Sequence, residues 1–181
     1  MITRAERRQA VESALEQLSR AGIAVTDEER ERIEVADFGL GRLEQLGLEL
    51  LVCLNTKRVC AKELVIFPWQ TCPEHRHPAV EGEPGKEETF RCRAGTFYLY
   101  VPGPRVHSPR ARVADDLAPF LTVWHEVVLR PGEQYTLMPD TLHWFQAGPE
   151  GAIVSEFSTT SRDEADIFTD PRIDRMPRVV D

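Results

Sequence analysis

Residues 88–101 decide the fold class: Glu88-Thr89-Phe90-Arg91-Cys92-Arg93-Ala94-Gly95-Thr96-Phe97-Tyr98-Leu99-Tyr100-Val101. Glu88, Phe90 and Cys92 alternate with Thr89, Arg91 and Arg93, the period of two expected of a strand with one apolar face. Thr96 to Val101 is aromatic and β-rich, and it breaks at Pro102-Gly103-Pro104. The same texture extends in both directions. Leu48–Leu54 and Val59–Trp69 read as strands on the N-terminal side, the second ended by Pro68 and a Thr71-Cys72-Pro73 turn. Residues 121–129, 134–138, 142–146 and 152–159 read as strands on the other side, with turns at Pro131-Gly132 and Gly148-Pro149. Many short strands between frequent turns predict a sandwich or barrel. The stretch 103–119 reads as a long loop.

Two short helices precede the strands. Thr3 with Glu6 and Thr26 with Glu29 have the spacing of capping boxes, and Val11, Leu15 and Leu18 recur at helical spacing. The first helix is expected to stop at Gly22 and the second at about Glu34. The expected organisation is one domain over 1–181. Its parts are a helical segment at 1–45, a β-barrel at 46–160 and a polar tail at 161–181 that packs on or near the pocket.

Composition narrows the function classes. The 181 residues hold 22 Lys plus Arg against 30 Asp plus Glu, a net charge of −8, with 41% hydrophobic and 29% charged residues. That balance suits a soluble globular protein and disfavours nucleic acid as a partner. No apolar run approaches the roughly 18 residues of a membrane span. The N-terminus lacks the apolar core of a secretory signal. Cys53, Cys60, Cys72 and Cys92 form no CxxC pair and read as reduced thiols of a cytoplasmic protein.

The chemistry concentrates in Glu74-His75-Arg76-His77. Histidines at i and i+2 on an extended strand point the same way and can reach one metal ion. Glu88 lies 11 residues after His77, on the apolar side of its strand, where a carboxylate needs a cation or a donor. His143, between Leu142 and Trp144, completes a set of three histidines and one carboxylate. That set suits Mn2+, Fe2+, Co2+, Ni2+ or Zn2+. Lys62 stands on the face of Leu64 and Ile66 and reads either as an edge lysine reaching solvent or as a pocket cation. Glu156 reads as an exposed strand carboxylate or a proton-transfer base. Trp69 reads as core packing or as the floor of a sugar site. His107 and His125 read as structural or surface histidines.

Together these residues resemble the cupin superfamily. His75-x-His77, Glu88 and Gly95 resemble its first motif, and Pro139 to His143 resembles its second. Two features depart from the pattern: the long gap before Glu88, and Thr141 where the motif has glycine. The gap and the phrase Thr141-Leu142-His143-Trp144-Phe145-Gln146-Ala147-Gly148 are similar to the D-lyxose isomerase family of cupins, over about Leu48 to Arg175. The resemblance implies a mainly β, cupin-type jelly-roll barrel with short N-terminal helices. It implies metal ligands His75, His77, Glu88 and His143, with Mn2+ as the first choice of ion. It implies interconversion of D-lyxose and D-xylulose, and of D-mannose and D-fructose, through a metal-bound enediol. Glu156 or Lys62 is the expected base, and Asp166 and Phe168 are expected to close over the pocket. Arg172 and Arg175 are expected to meet carboxylates or sugar hydroxyls, and the assembly is expected to be a homodimer. A metal-assisted hydride shift would use the same ligands. The alternatives are a cupin phosphosugar isomerase, a metal-dependent cupin dioxygenase and a non-catalytic sugar-binding cupin.

Overall fold

Both N-terminal capping boxes form. The Thr3 hydroxyl accepts from Glu6 N at the start of α1 (Arg4–Arg20), and Thr26 accepts from Glu29 N at the start of α2 (Asp27–Glu31). The computed structural model describes residues 1–176 and 179–180; Pro177, Arg178 and Asp181 of the expected tail lie outside the described residues. The second helix stops short of the expected Glu34. Ile33 turns inward to 2% exposure, and Glu34 opens a strand instead. The strands are β1 (Ile2–Thr3), β2 (Glu34–Ala36), β3 (Leu48–Asn55), β4 (Cys60–Ile66), β5 (Thr71–Arg76), β6 (Glu88–Val101), β7 (His125–Leu129), β8 (Gln134–Leu137), β9 (His143–Ser158), β10 (Ile167–Phe168) and β11 (Val179–Val180).

A single curled sheet makes two facing layers. The first runs β10–β5–β9–β6–β7, using His143–Ala147 of β9 and Phe97–Val101 of β6. The second runs β2–β3–β4–β9–β6–β8, using Ala152–Ser158 of β9 and Glu88–Gly95 of β6. Both long strands therefore cross from one layer to the other. They bend where the register shifts between Cys92 and Phe97. Gly95 sits in the bend at φ +71°, and a Cβ there would lie 2.0 Å from Gly151 O, so only glycine fits. The expected mainly β barrel with short N-terminal helices is what these strands build. Its core lies between the layers, around Leu50, Leu64, Phe90, Phe97, Phe145 and Val154. Helix α1 covers the outer face, where Ala14 and Leu18 pack on Val65 and Ile153. Full burial of a side chain such as Leu18 stabilises by about 2 kcal/mol.

Three local expectations are corrected. The pieces at 142–146 and 152–159 form a single strand through Gly148-Pro149 rather than two strands with a turn between them. Thr71-Cys72-Pro73 is strand, not turn. Pro73 falls within the register shift of β5 between Cys72 and His75, where its missing N–H breaks no regular ladder. The pieces at 88–92 and 96–101 are one strand, continued through the bend at Gly95. No helix among the described residues is long and apolar enough to cross a membrane. The four cysteines are unpaired.

Candidate metal centre and its cavity

The register brings the histidines together. His75 on β5 is paired directly with His143, the first residue of β9, and His77 follows at the end of β5. Donor atoms of the three lie within 4.8 Å of one another. Each ring is held through Nδ1: His75 donates to Pro73 O at 2.8 Å, His143 to Thr141 O at 2.9 Å, and His77 to the Asp166 carboxylate. These acceptors place the proton on Nδ1 and leave Nε2 free to face a metal. Glu88 opens β6 and sets Oε1 3.2 Å from both His77 Nε2 and His143 Nε2. Those two ring nitrogens and Glu88 Oε1 are buried without a hydrogen-bond partner. Buried polar atoms rarely stay unpartnered, so the cluster fits a divalent cation with three nitrogen donors and one carboxylate.

A row of alternating charge leaves the cluster. Lys86 Nζ lies 2.8 Å from Glu88 Oε2 and 3.0 Å from Glu156 Oε1. Lys62 Nζ lies 3.9 Å from that same Glu156 oxygen, 2.8 Å from Ser161 Oγ and 2.7 Å from Asp163 Oδ2. Arg175 continues the row, 3.2 Å from Asp163 Oδ2 and paired at its other end with Glu34. Apolar side chains, among them Phe38, Leu50, Leu64 and Phe145, line the same cavity. It measures about 30 Å³. Residues 161–176 cross it as a strap. Asp166 of the strap reaches His77, and Phe168 stacks on His75 with centroids 5.2 Å apart. The strap is tied down through Glu74, whose buried carboxylate accepts from Thr122 N, Thr122 Oγ1, Val123 N and Thr169 Oγ1.

Comparison with known proteins identifies the family. A family model described as D-lyxose isomerase matches residues 105–181. The D-lyxose/D-mannose isomerase of Thermosediminibacter oceani is 61% identical over 181 residues, all of both chains. The chain belongs to the D-lyxose isomerase family. The D-lyxose ketol-isomerase of Cohnella laeviribosi is 60% identical over 172 residues, 95% of this chain and 94% of that one. Among solved structures, the L-ribose isomerase of Cellulomonas parahominis superposes with a TM-score of 0.77 at 18% identity, covering 95% of this chain and 94% of that one. At that identity the likeness establishes the fold.

Within this member of the D-lyxose isomerase family, the cavity gathers His75, His77, Glu88, Lys62, Glu156, Asp166 and Phe168, with His143 against them. It does not gather Trp69 or Arg172. Trp69 packs against Tyr98 beneath the Arg112 guanidinium, in a separate apolar cluster. Arg172 is on the surface, paired with Asp170 and Asp116 and stacked over Phe120. Lys86 escaped the sequence reading, although it stands two residues before Glu88 and so shares its face. It turns inward to Glu88 and Glu156, and Gly85 before it packs against the His77 carbonyl, where a Cβ would come within 2.1 Å.

Charge pairing dominates this interior. Burial alone would discharge Lys86, but Glu156 and Glu88 outweigh it and raise its pKa well above the ordinary value. Burial opposes ionisation of Asp163 as well, yet Lys62, Lys86 and Arg175 hold its carboxyl far below the usual range. His75 is pushed well down by burial and by the neighbouring imidazoles.

Proposed function

We propose that this protein is a metal-dependent aldose–ketose isomerase that interconverts D-lyxose and D-xylulose, with D-mannose and D-fructose as a second pair. The observation that carries the reading is the position of Glu156. It is a buried carboxylate in the same cavity as the metal-fitting donors, one lysine away from Glu88. The names of relatives at 60–61% identity support the substrate.

His75, His77, Glu88 and His143 would hold the ion, with Mn2+ the first choice and Co2+, Fe2+, Ni2+ or Zn2+ suiting the same donors. When bound, it supplies positive charge to the oxygens of the reacting carbonyl and its neighbour. Glu156 removes the proton from the carbon beside the carbonyl, exchanges it with solvent and delivers a proton to the adjacent carbon. Lys86 and Lys62 flank that carboxylate and offset its charge, and Lys86 donates to a sugar oxygen. Asp166 fixes the His77 ring, and Phe168 offers an aromatic face to the sugar's C–H side. The cavity has room for about two waters, so the sugar enters as the strap at 161–176 moves outward and reacts as it closes. The working form is a cytoplasmic homodimer joined through the outer faces of the barrel strands, where Phe157 stands 48% exposed.

The test is to strip the protein with chelator, restore Mn2+, and follow ketose formation from D-lyxose in deuterated water. Activity should vanish and return, and the product should carry solvent deuterium. Activity that survives chelation overturns the metal dependence. A product free of deuterium overturns the proton route through Glu156.

A further inference from the structure

We propose that Arg175, at the outer end of the charged row, sets the pocket's preference between five-carbon and six-carbon sugars. The inference rests on the isomerase reading above. The row has a direction. At the metal end Glu88 and Lys86 are 1% and 5% exposed at the side chain, whereas Arg175 and Glu34 are 11% and 31% exposed. The chemistry on the first two carbons belongs at the dry end, beside Glu88 and Glu156. Each further carbon of an extended sugar then advances along the row, past Lys62 and Asp163. D-Lyxose and D-mannose share configuration at carbons 2 to 4 and differ by one carbon at the tail. That extra carbon and its hydroxyl fall at the solvent end.

The groups near the middle of the row are already committed. Lys62 gives its donors to Ser161 and to both oxygens of Asp163. Arg175 is different: it carries five N–H donors in one plane. Its bonds to Glu34 and Asp163 use Nη1 and Nη2 once each, which leaves donors for a hydroxyl arriving from the cavity that it lines. Arg175 also sits on the strap, so its position relative to the metal end is adjustable, whereas Lys62 is fixed within β4. Arg175 is thus a group that a sixth-carbon hydroxyl can reach and a fifth-carbon hydroxyl meets less directly.

The experiment compares kcat/KM for D-mannose and D-lyxose in the Mn2+-loaded protein and in Arg175→Met and Arg175→Lys. The D-mannose over D-lyxose ratio should fall about tenfold or more in Arg175→Met, the loss of one charged hydrogen bond. It should recover at least partly in Arg175→Lys. A merely structural role would lower both sugars together and leave the ratio unchanged. Should Arg175→Met fail to fold, Glu34→Ala frees Nη1 for the sugar and should raise the ratio. A ratio within twofold of native in the folded variants overturns the proposal while the isomerase reading stands. A native protein that turns over neither sugar overturns both.

Discussion

Glu49 presents a perturbation whose size can be worked out. It lies on β3 with 0% exposure, facing away from the metal cavity, and its hydrogen-bond partner is Gln70 Nε2 at 3.4 Å. Its Oε2 has none. Burial pushes the carboxyl up from 4.5 to about 8, against a small opposing pull from Gln70. Below about pH 4.5 the carboxyl is neutral in both folded and unfolded chains and costs nothing. Between 4.5 and 8 the unfolded chain releases the proton and the folded one keeps it, so stability falls as pH rises. Above 8 both are ionised and the loss levels off. At 1.36 kcal/mol per pH unit the full loss is about 5 kcal/mol, and about 4 kcal/mol of it accrues above pH 5. That is a large share of the roughly 5–15 kcal/mol that holds a domain together. Glu49→Gln removes the titration and keeps the acceptor that Gln70 uses. Urea unfolding in chelator at pH 5 and pH 8.5 isolates the effect, because every other titrating group is common to both proteins. The variant's stability relative to native should improve by about 4 kcal/mol between the two pH values, at unchanged m-value. A swing below about 1 kcal/mol would refute the claim that this carboxyl is held neutral.

Two further outcomes are expected. Glu156→Gln should lower kcat for D-lyxose by about 100- to 10,000-fold with the Mn2+ content unchanged; a fall of less than tenfold removes Glu156 as the proton carrier. Glu74→Gln turns an amide N–H₂ toward donors and deprives part of the Thr122–Val123–Thr169 set of its acceptor. It should cost about 1–3 kcal/mol and bring the first proteolytic cuts into residues 161–176, and an unchanged cleavage map would show that Glu74 does not hold the strap.

The local signals in the sequence were legible where neighbours along the chain decide the outcome. Thr3–Glu6 and Thr26–Glu29 close their capping boxes within one turn, and the i, i+2 spacing of His75 and His77 sets both rings on one side of β5. His143 was found through its phrase, and its partnership with His75 is a matter of strand register. What escaped depends on distant contacts. Lys86 follows a loop rich in Gly and Pro, and its burial is tolerable because Glu156, 70 residues later, joins Glu88 in pairing with it. Glu49 and Glu74 look like ordinary strand carboxylates, and the elements that bury them come from elsewhere in the chain. Trp69 reads as core packing or as a sugar platform, and with its backbone at φ +62° its ring packs against Tyr98. The proline at 73 reads as a stop because the register shift that accommodates it is invisible before the strands pair.

The shared use of β6 and β9 has a consequence for how the barrel is made and lost. Each of these strands contributes one half to each layer, so the layers are not separable modules. Pairing Glu88 with Ser158 closes a loop of roughly 70 residues, an entropic cost that must be met before either layer is complete. Assembly is therefore slow and dominated by non-local pairing. Once formed, neither layer can open without drawing strands out of the other. Glu88 and His143 stand at the first residues of these two strands, so the four proposed donors meet only when β5, β6 and β9 are all in place. An ion held by all four would act as a clasp on the topology rather than on one loop.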